Sequence, residues 1–184
     1  IVRKLYRKHD VWVVNTGIRP TMELTEAGKV NWNSLLDSIS TNTKRNEMII
    51  KLTRHFPQKV LLILTKRVEQ AKYFVRRLTE EGEHVDYLTG SKQEFDRKCR
   101  ILVGTTGKCS VGFDFVNLDG LILAADIESY FLQVLGRVFR RKDNIPVIFD
   151  IVDDNPILKK HFKTRKAVYL ECGGTIHNFK KKLL

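Results

Sequence analysis

The sequence predicts an α/β domain: a mostly parallel sheet with helices on both faces. Three observations carry that expectation. Short, continuous apolar runs recur along the chain, as strands buried on both faces require. Segments with apolar residues at helical spacing lie between them. Gly, Pro and Asn punctuate the junctions where strands and helices should exchange. Strand–helix alternation of this kind is the mark of a parallel sheet.

In chain order, residues 11–14 (VWVV) and 21–24 read as strands around a turn at residues 17–20. Met48, Ile49, Leu52 and Phe56 make one face of a helix that starts near Thr43 and stops at Pro57. The run at residues 59–65 (KVLLILT) is a buried strand, and Val68, Ala71, Phe74, Val75 and Leu78 mark the helix after it. Gly82 ends that helix in the left-handed C-terminal position. Residues 84–88, 100–104, 118–125 and 146–152 read as further strands, with a helix over 128–139. Asn155 caps and Pro156 opens a last helix, which runs to Glu171 and is stopped by Gly173 and Gly174. The expected organisation is lead-in strands and a helix at 1–58 packed on the domain, the domain itself at 59–173, and a solvated basic tail at 174–184.

The chain has 184 residues, a net charge of +12 and 42% hydrophobic residues. That is enough apolar material for a real core and too much for a disordered chain. No apolar run approaches the roughly 20 residues of a membrane helix, and the N-terminus has no signal-peptide pattern, so no membrane partner is expected. The first residue is Ile1, which suggests a segment of something longer. Cys99, Cys109 and Cys172 form no CxxC pair, and the five histidines are scattered singly. Reduced thiols, an intracellular location and no metal site are therefore expected. The charge is uneven. Residues 1–58 hold 10 basic and 5 acidic residues, 59–154 hold 15 of each, and 155–184 hold 8 basic and 1 acidic. Basic flanks fit a polyanion, nucleic acid being the commonest, although a basic soluble surface has the same composition.

Three segments can carry chemistry. Residues 101–110 (ILVGTTGKCS) invite a phosphate-loop reading, GxxxxGK[ST]. The first glycine of that pattern falls on Leu102, and the Ser or Thr that holds magnesium is Cys109. A P-loop NTPase is therefore the lesser alternative. Phe149-Asp150 resembles the acidic strand end of such enzymes only superficially, since apolar strands often end in Asp. Residues 105–114, with Gly107, Gly112 and Asp114, follow a buried strand, and ligands bind at the carboxyl ends of parallel strands. On a helix through residues 131–140, Phe131, Val134, Leu135 and Val138 share one side. Gln133, Gly136, Arg137 and Arg140 share the other. Glycine costs about 1 kcal/mol inside a helix, so something must approach that face closely, or the face is simply solvated. Two guanidiniums one turn apart suit bidentate contact with phosphate.

From Lys59 to about Gly173 these segments, in order, resemble the second RecA-like motor domain of superfamily 2 helicases. Residues 60–71 are similar to motif IV, and residues 87–90 (YLTG) to the strand end that follows it. Residues 101–107 with Gly112 and Asp114 are similar to motif V, and residues 133–140 fit the QxxGRxxR pattern of motif VI. The resemblance is nearest to the repair and transcription type of double-strand helicase. Large cytoplasmic DNA viruses, asfarviruses and poxviruses among them, carry similar proteins, which would place such a protein in the cytoplasm or the virion. Lys108-Cys109 departs from the usual motif V.

The resemblance implies a RecA-like fold, and ATP with Mg2+ held mainly by a first motor domain of the same polypeptide. Neither the nucleotide-cradling loop nor the Asp-Glu box of that domain is in this sequence. It further implies that Arg137 and Arg140 act as arginine fingers on the γ-phosphate and that Gln133 positions water or the arginines. Gly112 and Asp114 would reach the nucleotide side of the cleft. Thr65, Lys66, Thr89 and Thr105 would hold DNA or RNA phosphates. Alone, such a chain is expected to lack ATPase activity and to act as a nucleic-acid-binding module. A non-catalytic nucleic-acid-binding module remains the main alternative function.

Overall fold

Every residue of the run Leu61–Thr65 is buried, and it forms the strand around which the sheet is built. The computed structural model describes residues 7–110, 114–128 and 143–184. In chain order the elements are β1 (His9–Asn15), α1 (Trp32–Thr41), α2 (Thr43–Arg54), β2 (Leu61–Thr65), α3 (Val68–Glu80), β3 (Val85–Leu88) and β4 (Ile101–Thr105). There follow α4 (Thr106–Cys109), β5 (Gly120–Leu123), β6 (Val147–Val152), α5 (Pro156–Glu171), β7 (Gly174–Asn178) and a 3-10 turn at Lys181–Leu183. The strands lie in the order β3-β4-β2-β5-β6-β1-β7, and every neighbouring pair is parallel.

Both faces of the sheet are apolar, which is why its strands read as continuous rather than alternating runs. On one face Leu61, Ile63, Val103, Ile122 and Phe149 meet Ile49, Ile50 and Leu52 of α2 and Phe74 and Leu78 of α3. On the other, Leu62, Leu64, Leu102, Leu121 and Leu123 meet Tyr169 of α5, Cys109 of α4, and Phe95, Phe115 and Leu118 from loops. Each buried Leu, Ile or Phe contributes about 1.5–3 kcal/mol.

The helices begin where the sequence supplies caps. Asn42 accepts from the Arg45 amide to open α2, and Asn155 accepts from the Ile157 and Leu158 amides to open α5 ahead of Pro156. Gly82 has φ +83°, the left-handed conformation expected of it.

The structure differs from these expectations in four places. Residues 21–24 are not a strand: only an isolated antiparallel bridge, Leu24 to Val30, forms there. The partners of β1 are β6 and β7, so no N-terminal hairpin forms and β1 is an inner strand of the sheet. The helix α1 was not expected, although Asn31 caps it and Trp32, Leu35 and Ile39 share one face against Leu158 of α5. Residues 174–184 are no solvated tail. β7 pairs with β1, and Phe179 and Leu184 pack on the core beside Phe56. Gly174 is required where β7 begins, because a Cβ there would lie 2.7 Å from Nε2 of the buried His9.

Candidate functional site

A parallel sheet gathers the carboxyl ends of all its strands on one rim. Here the rim carries the ends of β2 and β4 side by side, with Thr65 in register with Thr105 and Leu88 with Gly104. Thr65, Lys66, Thr89 and Thr105, the residues expected to hold phosphates, therefore fall together. They are not equally accessible. Thr65 is fully buried, and its hydroxyl donates to the Arg67 carbonyl at 3.3 Å. Its hydroxyl is engaged in the turn out of β2. Thr105 is 9% exposed. Thr89 lines a groove of about 290 Å³ with Ala71, Lys72, Val75, Arg76 and Tyr87, between α3 and β3. Lys66 pairs with Glu128 at 3.0 Å.

The segment after β4 settles the phosphate-loop question. α4 starts at Thr106, the residue after the strand ends, so no looped cradle separates strand from helix. Cys109 is buried and packs over Gly104, where a Cβ would lie 2.5 Å from its Sγ. The unusual Cys109 of motif V is thus a packing residue, matched to the glycine beneath it. Asp114 is exposed beside the buried Phe115, which meets Phe95 edge-on. Gly112, Gln133, Arg137 and Arg140 lie outside the described residues.

Two buried arginines, which sequence reasoning missed, fix the chain just ahead of the motif VI segment. Arg45 of α2 reaches across the rim. Its Nε donates to both Asp153 oxygens at 2.9 and 3.0 Å, and its Nη1 donates to the Ala124 carbonyl at 2.6 Å. The Thr16 hydroxyl donates to the same Asp153 at 2.6 Å. Arg165 of α5 works from the opposite face. Nε and Nη2 fork onto Asp150 at 2.8 and 2.9 Å, while Nη1 donates to Asp126 at 2.8 Å and to the Ile127 carbonyl at 3.1 Å. Tyr169 donates to Asp150 at 2.7 Å, and His161 sits 2.5 Å from the other Asp126 oxygen. Burial alone would lower the Arg165 pKa; Asp150 and Asp126 instead carry it above the ordinary value. Burial, with Asp150 adding to it, pushes the Tyr169 phenol well above its usual range. Asp150 is therefore a structural carboxylate inside β6, not a strand-end ligand for a metal. Among the described residues, no group of three or more His, Cys, Asp or Glu could hold a metal ion.

A sequence signal for Arg165 did exist. Leu158, Phe162 and Tyr169 form an apolar stripe on α5, and Arg165 occupies a position within it.

Comparison with known proteins now bears on this geometry. No family model matches the chain. "Uncharacterized protein 108L" of Invertebrate iridescent virus 3 is 50% identical over 95 residues, which cover 91% of that protein and 52% of this chain. "Putative helicase 161L" of Invertebrate iridescent virus 6 is 37% identical over 200 residues, covering 98% of this chain. "Putative helicase 055L" of Frog virus 3 is 39% identical over 176 residues, covering 95% of this chain. The chain belongs to one family with these viral proteins, two of which are named as putative helicases. It spans less than half of the two helicase relatives, 45% and 40% of their lengths.

Solved structures share the fold. T4 UvsW matches with a TM-score of 0.70 at 19% identity, over 96% of this chain and 42% of that one. The isolated C-terminal domain of the DEAD-box protein Dbp5 matches with a TM-score of 0.60 at 13% identity, over 95% of this chain and 91% of that domain. The chain therefore shares the RecA-like α/β fold of these solved domains. Among the described residues, no helix is long and apolar enough to cross a membrane.

Proposed function

We propose that the chain is the second motor domain of an ATP-dependent helicase or translocase. Its rim would face nucleic acid and a nucleotide held mainly by a first motor domain. The observation that carries this reading is the rim itself. The ends of β2 and β4 stand in register there, and the buried Arg45 and Arg165 anchor residues 124–127, which lead into the QxxGRxxR segment.

Each residue's part follows from chemistry. Lys66, Thr89 and Thr105 would contact backbone phosphates of DNA or RNA. Such contacts position a strand without reading its bases, as a translocating enzyme requires. Arg137 and Arg140 would stabilise charge on the γ-phosphate, with Gln133 positioning water or the arginines. Gly112 and Asp114 would lie on the nucleotide side. ATP, the substrate, would arrive with its Mg2+ on the first domain. The described residues do not build a full site for either, because α4 follows β4 without a cradle. Lys159, Lys160, Lys163 and Lys166 stand exposed on α5, and Lys180 to Lys182 are exposed after β7. They add charge that makes binding salt-dependent.

The test joins this chain to a first motor domain and measures steady-state ATP turnover. The chain alone is expected to be silent with or without nucleic acid. In the joined protein, Arg140→Ala should lower kcat about 10³-fold or more, as loss of an arginine finger does, while nucleic-acid affinity is unchanged. Normal turnover in that variant removes the assignment of Arg140.

A further inference from the structure

The strand order reverses between β2 and β5. From β2 the chain proceeds to β3 and β4 on one side, and from β5 to β6 on the other. Such a switch point leaves a crevice at the carboxyl ends of its two strands, the usual place for a ligand in open α/β sheets. The Ala124 amide, just past β5, donates to the Leu64 carbonyl at 3.0 Å, so residues after each strand leave side by side. The crevice is crossed by the ion pair between Lys66 Nζ and Glu128 Oε1.

The two partners are held very differently. The Lys66 side chain is 17% exposed, and its stem lines a small internal cavity with Ile39, Gln70 and Ala125. Glu128 is 52% exposed. It is also the first residue beyond the clamped stretch, since Arg45 holds Ala124 and Arg165 holds Asp126 and Ile127. The carboxylate can therefore swing away while the ammonium stays. An ammonium left in that crevice needs another anion.

We propose that Glu128 occupies Lys66 in place of a nucleic-acid phosphate, and that a bound strand takes Lys66 over and releases Glu128. The exchange swaps one oxyanion for another on the same ammonium. It frees the residue that leads into the motif VI segment, and so connects strand binding to the arginines expected to meet ATP. The proposal rests on the reading of Lys66 as a phosphate contact.

The experiment is a mutant cycle on this chain, titrated against a fluorescein-labelled single-stranded oligonucleotide of random sequence and followed by anisotropy. A partly solvated pair of this kind is weak, so Glu128→Gln should tighten binding by no more than about fivefold and steepen its salt dependence. Lys66→Ala should weaken binding, and Lys66→Ala with Glu128→Gln should bind no better than Lys66→Ala alone. Glu80→Gln, the same change of charge at the far end of α3, should gain less than Glu128→Gln. A gain that persists without Lys66, or that Glu80→Gln equals, shows Glu128 acting through net charge and overturns the exchange. Lys66→Ala weaker with Glu128→Gln unchanged also overturns it, leaving the phosphate reading of Lys66 intact. Unaltered affinity in Lys66→Ala overturns that reading, and the exchange with it.

Discussion

Among the described residues each face of the sheet buries one arginine, and the two are not equivalent. On the α2 face Arg45 meets a single carboxylate, Asp153, which also receives the Thr16 hydroxyl. On the α5 face Arg165 serves two carboxylates, Asp150 from mid-strand and Asp126 from the loop after β5. The first cluster balances one charge with one. The second sets two negative charges against one guanidinium and adds Tyr169 and His161 around them. Buried ion pairs are weak sources of net stability, but breaking one strands a charge. The cost of losing either arginine should therefore scale with the carboxylates left behind.

The largest expected effect comes from Arg165→Ala, which leaves Asp150 and Asp126 without their shared partner. We expect a loss of about 3–5 kcal/mol in denaturant unfolding, much of the roughly 5–15 kcal/mol typical of a domain. Arg45→Ala, which strands only Asp153, should fall at or below the lower end of that range. Equal losses would show that the second carboxylate on Arg165 adds nothing.

A smaller pair of changes sharpens the same comparison. Tyr169→Phe removes one hydroxyl from Asp150, and Thr16→Val removes one from Asp153. Each should cost about 1.5–3 kcal/mol, as expected of hydrogen bonds to charged groups. The Tyr169 change should cost more, because Asp150 is 0% exposed and keeps no route to solvent. Thermal unfolding of both variants checks the order.

The smallest effect lies outside both clusters and calibrates them. Glu47 of α2 accepts from Arg77 of α3 at 2.7 and 3.1 Å and from Tyr73 at 2.6 Å. The Arg77 hydrogen bonds, against opposing desolvation, lower its pKa from 4.5 to about 2. A carboxylate depressed in this way stabilises the fold fully above its unfolded pKa and loses that contribution as pH falls toward the folded one. Stability should thus decline between about pH 4.5 and 2 by a modest amount, since the pair is partly solvated. Glu47→Gln should flatten that part of the profile when chemical denaturation is followed against pH.

Much of this architecture was legible where local signals sufficed. The strand from Leu61, the helix after it, and the Asn155-Pro156 start of α5 follow from apolar runs and capping chemistry. What escaped depends on distant partners. β7 is short, half-buried and polar at Thr175 and Asn178. It becomes a strand only because Val11 and its neighbours lie open beside it. Residues 21–24 read as a strand, but pairing there stops at the isolated bridge between Leu24 and Val30. In the candidate site, sequence motifs marked Lys66, Thr89 and Thr105, and the parallel rim brings them together. Arg45 falls on the Ile49, Leu52 and Phe56 face of its helix, as Arg165 falls within its own apolar stripe, but Asp153 lies 108 positions away and no spacing names it as the partner. Thr65 carried the right motif position, but its burial came from the turn it makes.

The place of β1 bears on how the chain can be made. Val11 lies between Ile148 of β6 and Ile176 of β7, so this first strand of the sheet finds neither neighbour until the strands that follow it have emerged. Parallel pairing over such separations folds slowly and leaves strand edges open to wrong partners. Until then Val11, Trp12, Val13 and Val14 are a sticky β-prone stretch flanked upstream by Arg7 and Lys8, charges of the kind that hold such segments apart during synthesis. Completion of the sheet is therefore expected to come late, when the residues that cover its first strand have been made.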